Sequence, residues 1–106
     1  MKPRKVYAGE LVVGDLHLHP QTMIVARANQ EIRLAPQEFR LLQYLMENKG
    51  HILTRKMILN QIWRLTPELE TKVVDVYIGY LRKKIDKNFE KSLLHSVRGF
   101  GYVMKE

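Results

Sequence analysis

The stretch Thr71-Lys-Val-Val-Asp-Val-Tyr-Ile-Gly-Tyr-Leu-Arg-Lys-Lys-Ile-Asp86, followed after a polar turn by Leu93-Leu-His-Ser-Val-Arg-Gly-Phe-Gly-Tyr-Val-Met104, decides the fold. At about 100° per residue, Val74, Ile78, Leu81 and Ile85 fall in one narrow sector, the mark of a helix with a buried stripe. The opposite side collects Lys72, Val73, Val76, Gly79, Tyr80, Lys83, Lys84 and Lys87, with Tyr77 and Arg82 on the flanks, so cations dominate the face left to water. Thr71 stands at the expected cap of this helix. The second stretch breaks into two strand-like runs, 93–97 and 102–104, joined by Arg98-Gly-Phe-Gly101, whose glycines permit the positive φ of a tight hairpin. The hairpin projects as a wing.

Upstream, two more helices are expected. Phe39, Leu42, Leu45 and Met46 recur at helical spacing, Pro36 suits a first helical position and Gly50 a stop, giving a helix over 36–48. Ile52 and Leu53 form a short extended link. Thr54 then caps a second helix that ends near Trp63, with Met57, Ile58, Ile62 and Trp63 on its buried side. Arg64-Leu65-Thr66-Pro67-Glu68-Leu69-Glu70 holds a proline and acids and reads as the loop into the third helix.

Before the first helix the period changes to two. Leu11 and Val13, Leu16 and Leu18, Met23 and Val25, and Ile32 and Leu34 alternate with polar residues, and Gly14-Asp15, Pro20-Gln21 and Ala28-Asn29-Gln30 mark turns between them. Four short strands in an up-and-down antiparallel sheet follow, with one face packed on the helices. The chain therefore reads as α+β: an N-terminal four-stranded antiparallel sheet, three helices and a C-terminal β-hairpin wing. Residues 1–9 read as an N-terminal extension or linker remnant and 10–106 as one domain, a size that buries its own core.

Composition narrows the function. Eighteen Lys and Arg against 11 Asp and Glu leave a net charge of +7, which favours polyanionic partners. Between residues 71 and 105 eight cations (Lys72, Arg82, Lys83, Lys84, Lys87, Lys91, Arg98, Lys105) face three acids (Asp75, Asp86, Glu90), so the charge is concentrated on the third helix and the wing. A helix pair followed by a hairpin can place one helix in a major groove about 12 Å wide while the hairpin reaches the adjacent minor groove. The absence of cysteine excludes disulfides, thiolate metal sites and a cysteine nucleophile. No nucleophile-elbow serine, glycine-rich phosphate loop or close carboxylate pair is present, so an enzyme is not expected, and neither is a cofactor. His17 and His19 share a strand face, but two histidines without a third ligand nearby read as ordinary strand residues, and no metal is expected. No apolar run suits a signal peptide or membrane span, which predicts a cytoplasmic protein without a membrane partner.

Val74-Asp-Val-Tyr-Ile78, Leu81-Arg-Lys-Lys-Ile85 and Ser96-Val-Arg-Gly-Phe-Gly-Tyr-Val103 resemble the third-helix and wing signatures of OmpR/PhoB effector domains, the winged helix-turn-helix modules of two-component response regulators. Glu38-Phe-Arg-Leu-Leu42, Asn48-Lys-Gly50, Thr54-Arg55 and Trp63 extend the match over nearly the whole chain. The resemblance implies sequence-specific binding of double-stranded DNA and transcriptional regulation, with helix 71–86 in the major groove and Arg98 in the minor groove. Carried over by position, Lys72, Val73, Tyr77, Gly79 and Tyr80 touch bases or phosphates, Arg82 holds a phosphate, and Arg98 and Tyr102 are the wing contacts. Lys83 and Lys84 join them on charge and adjacency. The loop from Arg64 through Leu65, Thr66, Pro67, Glu68 and Leu69 to Glu70 would face RNA polymerase. A receiver domain in the full-length protein, a monomer in isolation and a head-to-tail dimer on tandem direct repeats are implied as well.

Departures from the family pattern concern Lys72, Gly79, Tyr80 and Ala35. Ala35 lacks a side-chain oxygen for the cap of the first helix, although Glu38 can reach back to the amide of residue 35. Tyr77 and Tyr80 read either as edge-of-core aromatics or as contacts, Trp63 as core, and Asp75 as a partner of the helix dipole outside the site. The competing classes, an RNA-binding winged helix and one used for protein docking, keep the fold; the cations on helix and wing favour duplex DNA over both.

Overall fold

The computed structural model describes residues 9–64 and 70–106. Strands β1 (Leu11–Val13), β2 (Leu16–His19), β3 (Ile24–Arg27) and β4 (Gln30–Ile32) form an antiparallel meander in the order β1-β2-β3-β4. Period-two alternation sends Val13, Leu16, Leu18 and Val25 into the core. Two-residue turns set the register: Val13 pairs with Leu16 across Gly14-Asp15, and Arg27 with Gln30 across Ala28-Asn29. Ala28 and Asn29 both have positive φ, 51° and 64°, as a turn matching the twist of its strands requires.

Helix α1 (Pro36–Glu47) begins without a side-chain cap from Ala35, and the Glu38 carboxylate accepts the Ala35 amide hydrogen at 2.7 Å, as the sequence allows. Helix α2 (Arg55–Ile62) is capped by Thr54, whose hydroxyl accepts from the Met57 amide at 3.1 Å. Helix α3 (Lys72–Ile85) buries the four expected residues Val74, Ile78, Leu81 and Ile85. Two expectations fail here. Met57 is exposed, because an eight-residue helix turns little more than two turns and only Ile58 enters the core fully. Thr71 is itself helical and its side chain caps nothing; the Thr71 and Glu70 carbonyls already accept the first amides of α3.

The wing is the antiparallel pair β6 (Leu94–Val97) and β7 (Gly101–Met104), but it is not a free hairpin. The extended link expected at 52–53 is a strand, β5 (Leu53–Thr54), pairing Leu53 with Tyr102 and Thr54 with Gly101, so a second sheet runs β5-β7-β6. The backbones approach so closely that a Cβ on Gly101 would lie 2.0 Å from the Leu53 carbonyl oxygen, and only glycine fits there. Gly99, at φ 81°, turns the hairpin tip. One continuous apolar cluster from Val13 to Met104 links the first sheet, all three helices and the wing.

A buried arginine joins the N-terminal sheet to the end of α3. Arg27 Nη1 donates to the Ile85 carbonyl at 2.6 Å and to Asp86 Oδ1 at 2.8 Å, Nε donates to Asp15 at 2.9 Å, and Nη2 donates to the Lys91 carbonyl. Asp86 also accepts the Leu93 and Leu94 amides at 3.0 and 3.1 Å. Each nitrogen of the buried guanidinium thus has an acceptor, which is the condition for tolerating such a charge. Among the described residues no helix is long and apolar enough to cross a membrane.

Candidate nucleic-acid interface

The surface of α3 divides into three stripes. The ridge opposite the core carries Lys72, Val76, Gly79, Tyr80 and Lys83; all are open to solvent except Gly79, which is half-buried but has no neighbouring element within 4 Å of where a Cβ would stand. One flank, Val73, Tyr77 and Lys84, faces the other helices. Val73 and Tyr77 are half-buried against the core, and the Tyr77 ring meets Trp63 edge-on at 5.1 Å and Tyr80 at 5.4 Å. Trp63 belongs to the core, and an aromatic ladder runs outward from it to Tyr80, 47% exposed on the ridge. Lys84 Nζ lies 2.6 Å from Glu38 Oε1, so this cation is paired with α1.

The other flank faces the wing. Asp75 Oδ1 accepts from Arg55 Nε at 2.7 Å and from the Tyr102 hydroxyl. Arg82 donates to Ser96 Oγ at 2.7 Å and to the Leu94 carbonyl at 3.3 Å. Two guanidinium groups lie over the Tyr102 ring, Arg55 at 5.6 Å and Arg82 at 5.5 Å from its centroid. Burial alone would raise the Asp75 pKa, but the hydrogen bonds from Tyr102 and Arg55 and the Arg55 charge hold the carboxyl below its usual range. Burial first, then the bond to Asp75 and its charge, pushes the Tyr102 phenol up. The bond to Asp75, followed by its charge, raises Arg55 further.

Sequence-expected contacts therefore separate. Lys72, Tyr80 and Lys83 stand on the open ridge, and Arg98 is exposed beside the similarly exposed Phe100 at the wing tip. Among the described residues Lys72, Lys83 and Arg98 have no ion-pair partner, whereas Arg82 is half-buried against the wing and Tyr102, only 5% exposed, turns its hydroxyl to Asp75. Of the loop, Arg64 and Glu70 are exposed and 65–69 lie outside the described residues, as do 1–8 of the proposed N-terminal extension. Asp75, read from the sequence as a dipole partner, does stand in the first turn of α3 and is also the acceptor joining α2, α3 and wing. Its partner Arg55 is 20 residues away, and no periodicity connects them. His17 and His19 have an unforeseen neighbour in Glu10, whose carboxylate lies 2.8 and 3.8 Å from their ring nitrogens. No group among the described residues is arranged to hold a metal ion.

A third helix with an open basic ridge, fastened along one flank to a β-hairpin, defines a winged helix. The family described as "Transcriptional regulatory protein, C terminal" matches residues 29–104, and the chain belongs to it, as an effector domain of the OmpR/PhoB response-regulator type. It is 43% identical over 95 residues to the uncharacterized transcriptional regulatory protein YkoG of Bacillus subtilis, covering 90% of this chain and 42% of YkoG. It is 37% identical over 99 residues to the alkaline phosphatase synthesis transcriptional regulatory protein PhoP of the same organism, covering 92% of this chain and 41% of PhoP. The DNA-binding domain of Klebsiella pneumoniae RstA, solved in complex with the RstA box, superposes with a TM-score of 0.80 at 28% identity, covering 92% of this chain and 97% of that one. The chain thus spans about two-fifths of the length of the curated relatives it matches.

Proposed function

We propose that this domain binds double-stranded DNA sequence-specifically and regulates transcription, with the ridge of α3 in the major groove and the wing carrying Arg98 into the adjacent minor groove. The observation that carries the reading is the sorting of cations. Among the described residues Lys72, Lys83 and Arg98 stand open and without ion partners on the two reading elements, while Arg27, Arg55, Arg82 and Lys84 are engaged by acids, a hydroxyl or carbonyls of neighbouring elements. Cations held unpaired on a groove-sized helix and a wing suit phosphates and base edges. Gly79 lets the backbone approach the duplex, and Tyr80 offers an aromatic edge to a thymine methyl.

The resemblance favours a place within a longer response regulator that carries a receiver domain over a stand-alone regulator of the same fold. The domain is monomeric alone, pairs head to tail on direct repeats, and turns the segment 64–70 toward RNA polymerase. Selection of bound duplexes from a random DNA pool tests the reading. A repeated motif gives the site, the half-site spacing and the assembly together, whereas a pool that never enriches, or a preference for single-stranded RNA, overturns it.

A further inference from the structure

We infer that Asp75 is a positioning residue that registers the wing on α3, so that the two grooves of one DNA site are read at a fixed spacing. The inference rests on the DNA reading above and deepens it. The backbone tie between wing and helical body is short: β5 pairs with β7 at only two positions, Leu53 with Tyr102 and Thr54 with Gly101. The buried face of β7 seats the hairpin on the core, and the Gly50 amide donates to the Met104 carbonyl at 2.9 Å, at the end away from Arg98. Side chains add a tie between the wing and the two helices beside it. The Tyr102 ring meets both the Arg55 and Arg82 guanidiniums, and its hydroxyl ends on Asp75, which also holds Arg55. One turn of α3, the start of α2 and the wing are thereby joined at a single carboxylate.

Two further observations point to positioning rather than bulk stability. The Asp75 and Arg55 side chains are 43% and 42% exposed, and ion pairs so exposed contribute little to global stability. An acid in the first turn of a helix that meets a polyanion also works against affinity through its charge. The lowered Asp75 pKa and raised Tyr102 pKa agree with a tie kept in one protonation state at neutral pH. Fixing two contact elements in advance removes the cost of ordering them on binding, and it makes a wing contact depend on where α3 sits.

The test uses the 106-residue chain and two duplexes that share the selected major-groove motif, one with an A·T flank under the wing and one with a G·C flank. Wild type should prefer the A·T flank by about tenfold. Asp75→Asn removes a negative charge and should bind the G·C-flanked duplex more tightly, while its flank preference should fall to about twofold or less. Tyr102→Phe removes only the hydroxyl, leaves the ring and charge unchanged, and should lose the preference equally. Preference kept at the wild-type ratio in both variants overturns the inference alone, as does a loss confined to Asp75→Asn, which would be a charge effect. A wild-type chain that prefers no duplex overturns the DNA reading and the inference with it.

Discussion

Lys84 Nζ lies 2.6 Å from Glu38 Oε1, the same oxygen that accepts the Ala35 amide at the start of α1. One carboxylate, 5% exposed, therefore serves as cap for an alanine that cannot cap itself and as counter-ion for a lysine that charge pattern alone assigns to DNA. Removing the lysine leaves that carboxylate short of a cation. Lys84 is itself 40% exposed, so water screens part of the loss, and Lys84→Ala should cost only about 1 kcal/mol of unfolding free energy. Lys83→Ala should behave in the opposite way: stability unchanged, and the slope of log affinity against log salt reduced by about one unit. Chemical denaturation and a salt series on each variant decide it; a full unit of slope lost in Lys84→Ala would return that lysine to the interface.

Arg27→Ala should be the most damaging single change in the first sheet. It leaves Asp86 buried without its cation and the Ile85 and Lys91 carbonyls short of a donor, a loss of about 3 to 5 kcal/mol. The midpoint of urea unfolding reads it directly, and a loss under about 1 kcal/mol would show that the pair is not a keystone of the fold.

The wing clamp should have two pH limits. Asp75 has a folded pKa below its ordinary 3.8, so its contribution is present above that value and is lost as pH falls through the lower folded one. The melting-temperature advantage of wild type over Asp75→Asn, small because the pair is exposed, should hold across neutral pH and shrink below about pH 4. Tyr102 has a folded pKa above 10.0, so its contribution is complete below that value and fades as pH rises through the folded one. The advantage over Tyr102→Phe should fade there. An advantage over Asp75→Asn that persisted unchanged in acid would contradict the assignment of the carboxylate.

Much of the fold was legible because its periods are clean. The alternation from Leu11 to Ile32 and the four-residue stripe of α3 give the sheet and the buried face directly, except at Met23, which lies in the turn before β3 at φ 59° and is exposed, and the wing glycines mark the hairpin. What escaped was whatever depends on residues far apart in the chain. Leu53 looks like a link until Tyr102 pairs with it, and Thr71 looks like a cap until Glu70 joins the helical turn. Arg27 sits in a strand pattern that gives no sign of Asp86, 59 residues away. In the candidate site, charge and spacing found the open cations Lys72, Lys83 and Arg98. They did not separate these from Arg82, Lys84 and Tyr102, because pairing is decided by the neighbouring element rather than by the helix that carries the residue.

Arg98→Ala should cost about 1 to 3 kcal/mol on the selected site and remove the preference for an A·T-rich flank, since a narrow A·T minor groove concentrates the negative potential an inserted arginine meets. Fluorescence anisotropy on A·T- and G·C-flanked duplexes checks it. Equal losses on both would demote Arg98 to a backbone contact.

Whether the ridge of α3 and the wing tip form the surface that meets the duplex is tested most directly by titrating the selected duplex into labelled protein and following backbone amide shifts. The largest saturable shifts are predicted at Lys72, Val76, Gly79, Tyr80 and Lys83 and around Arg98, with the outer face of the first sheet, at His17 and Ile24, unmoved. Shifts centred on that sheet, with α3 silent, would contradict the proposed interface.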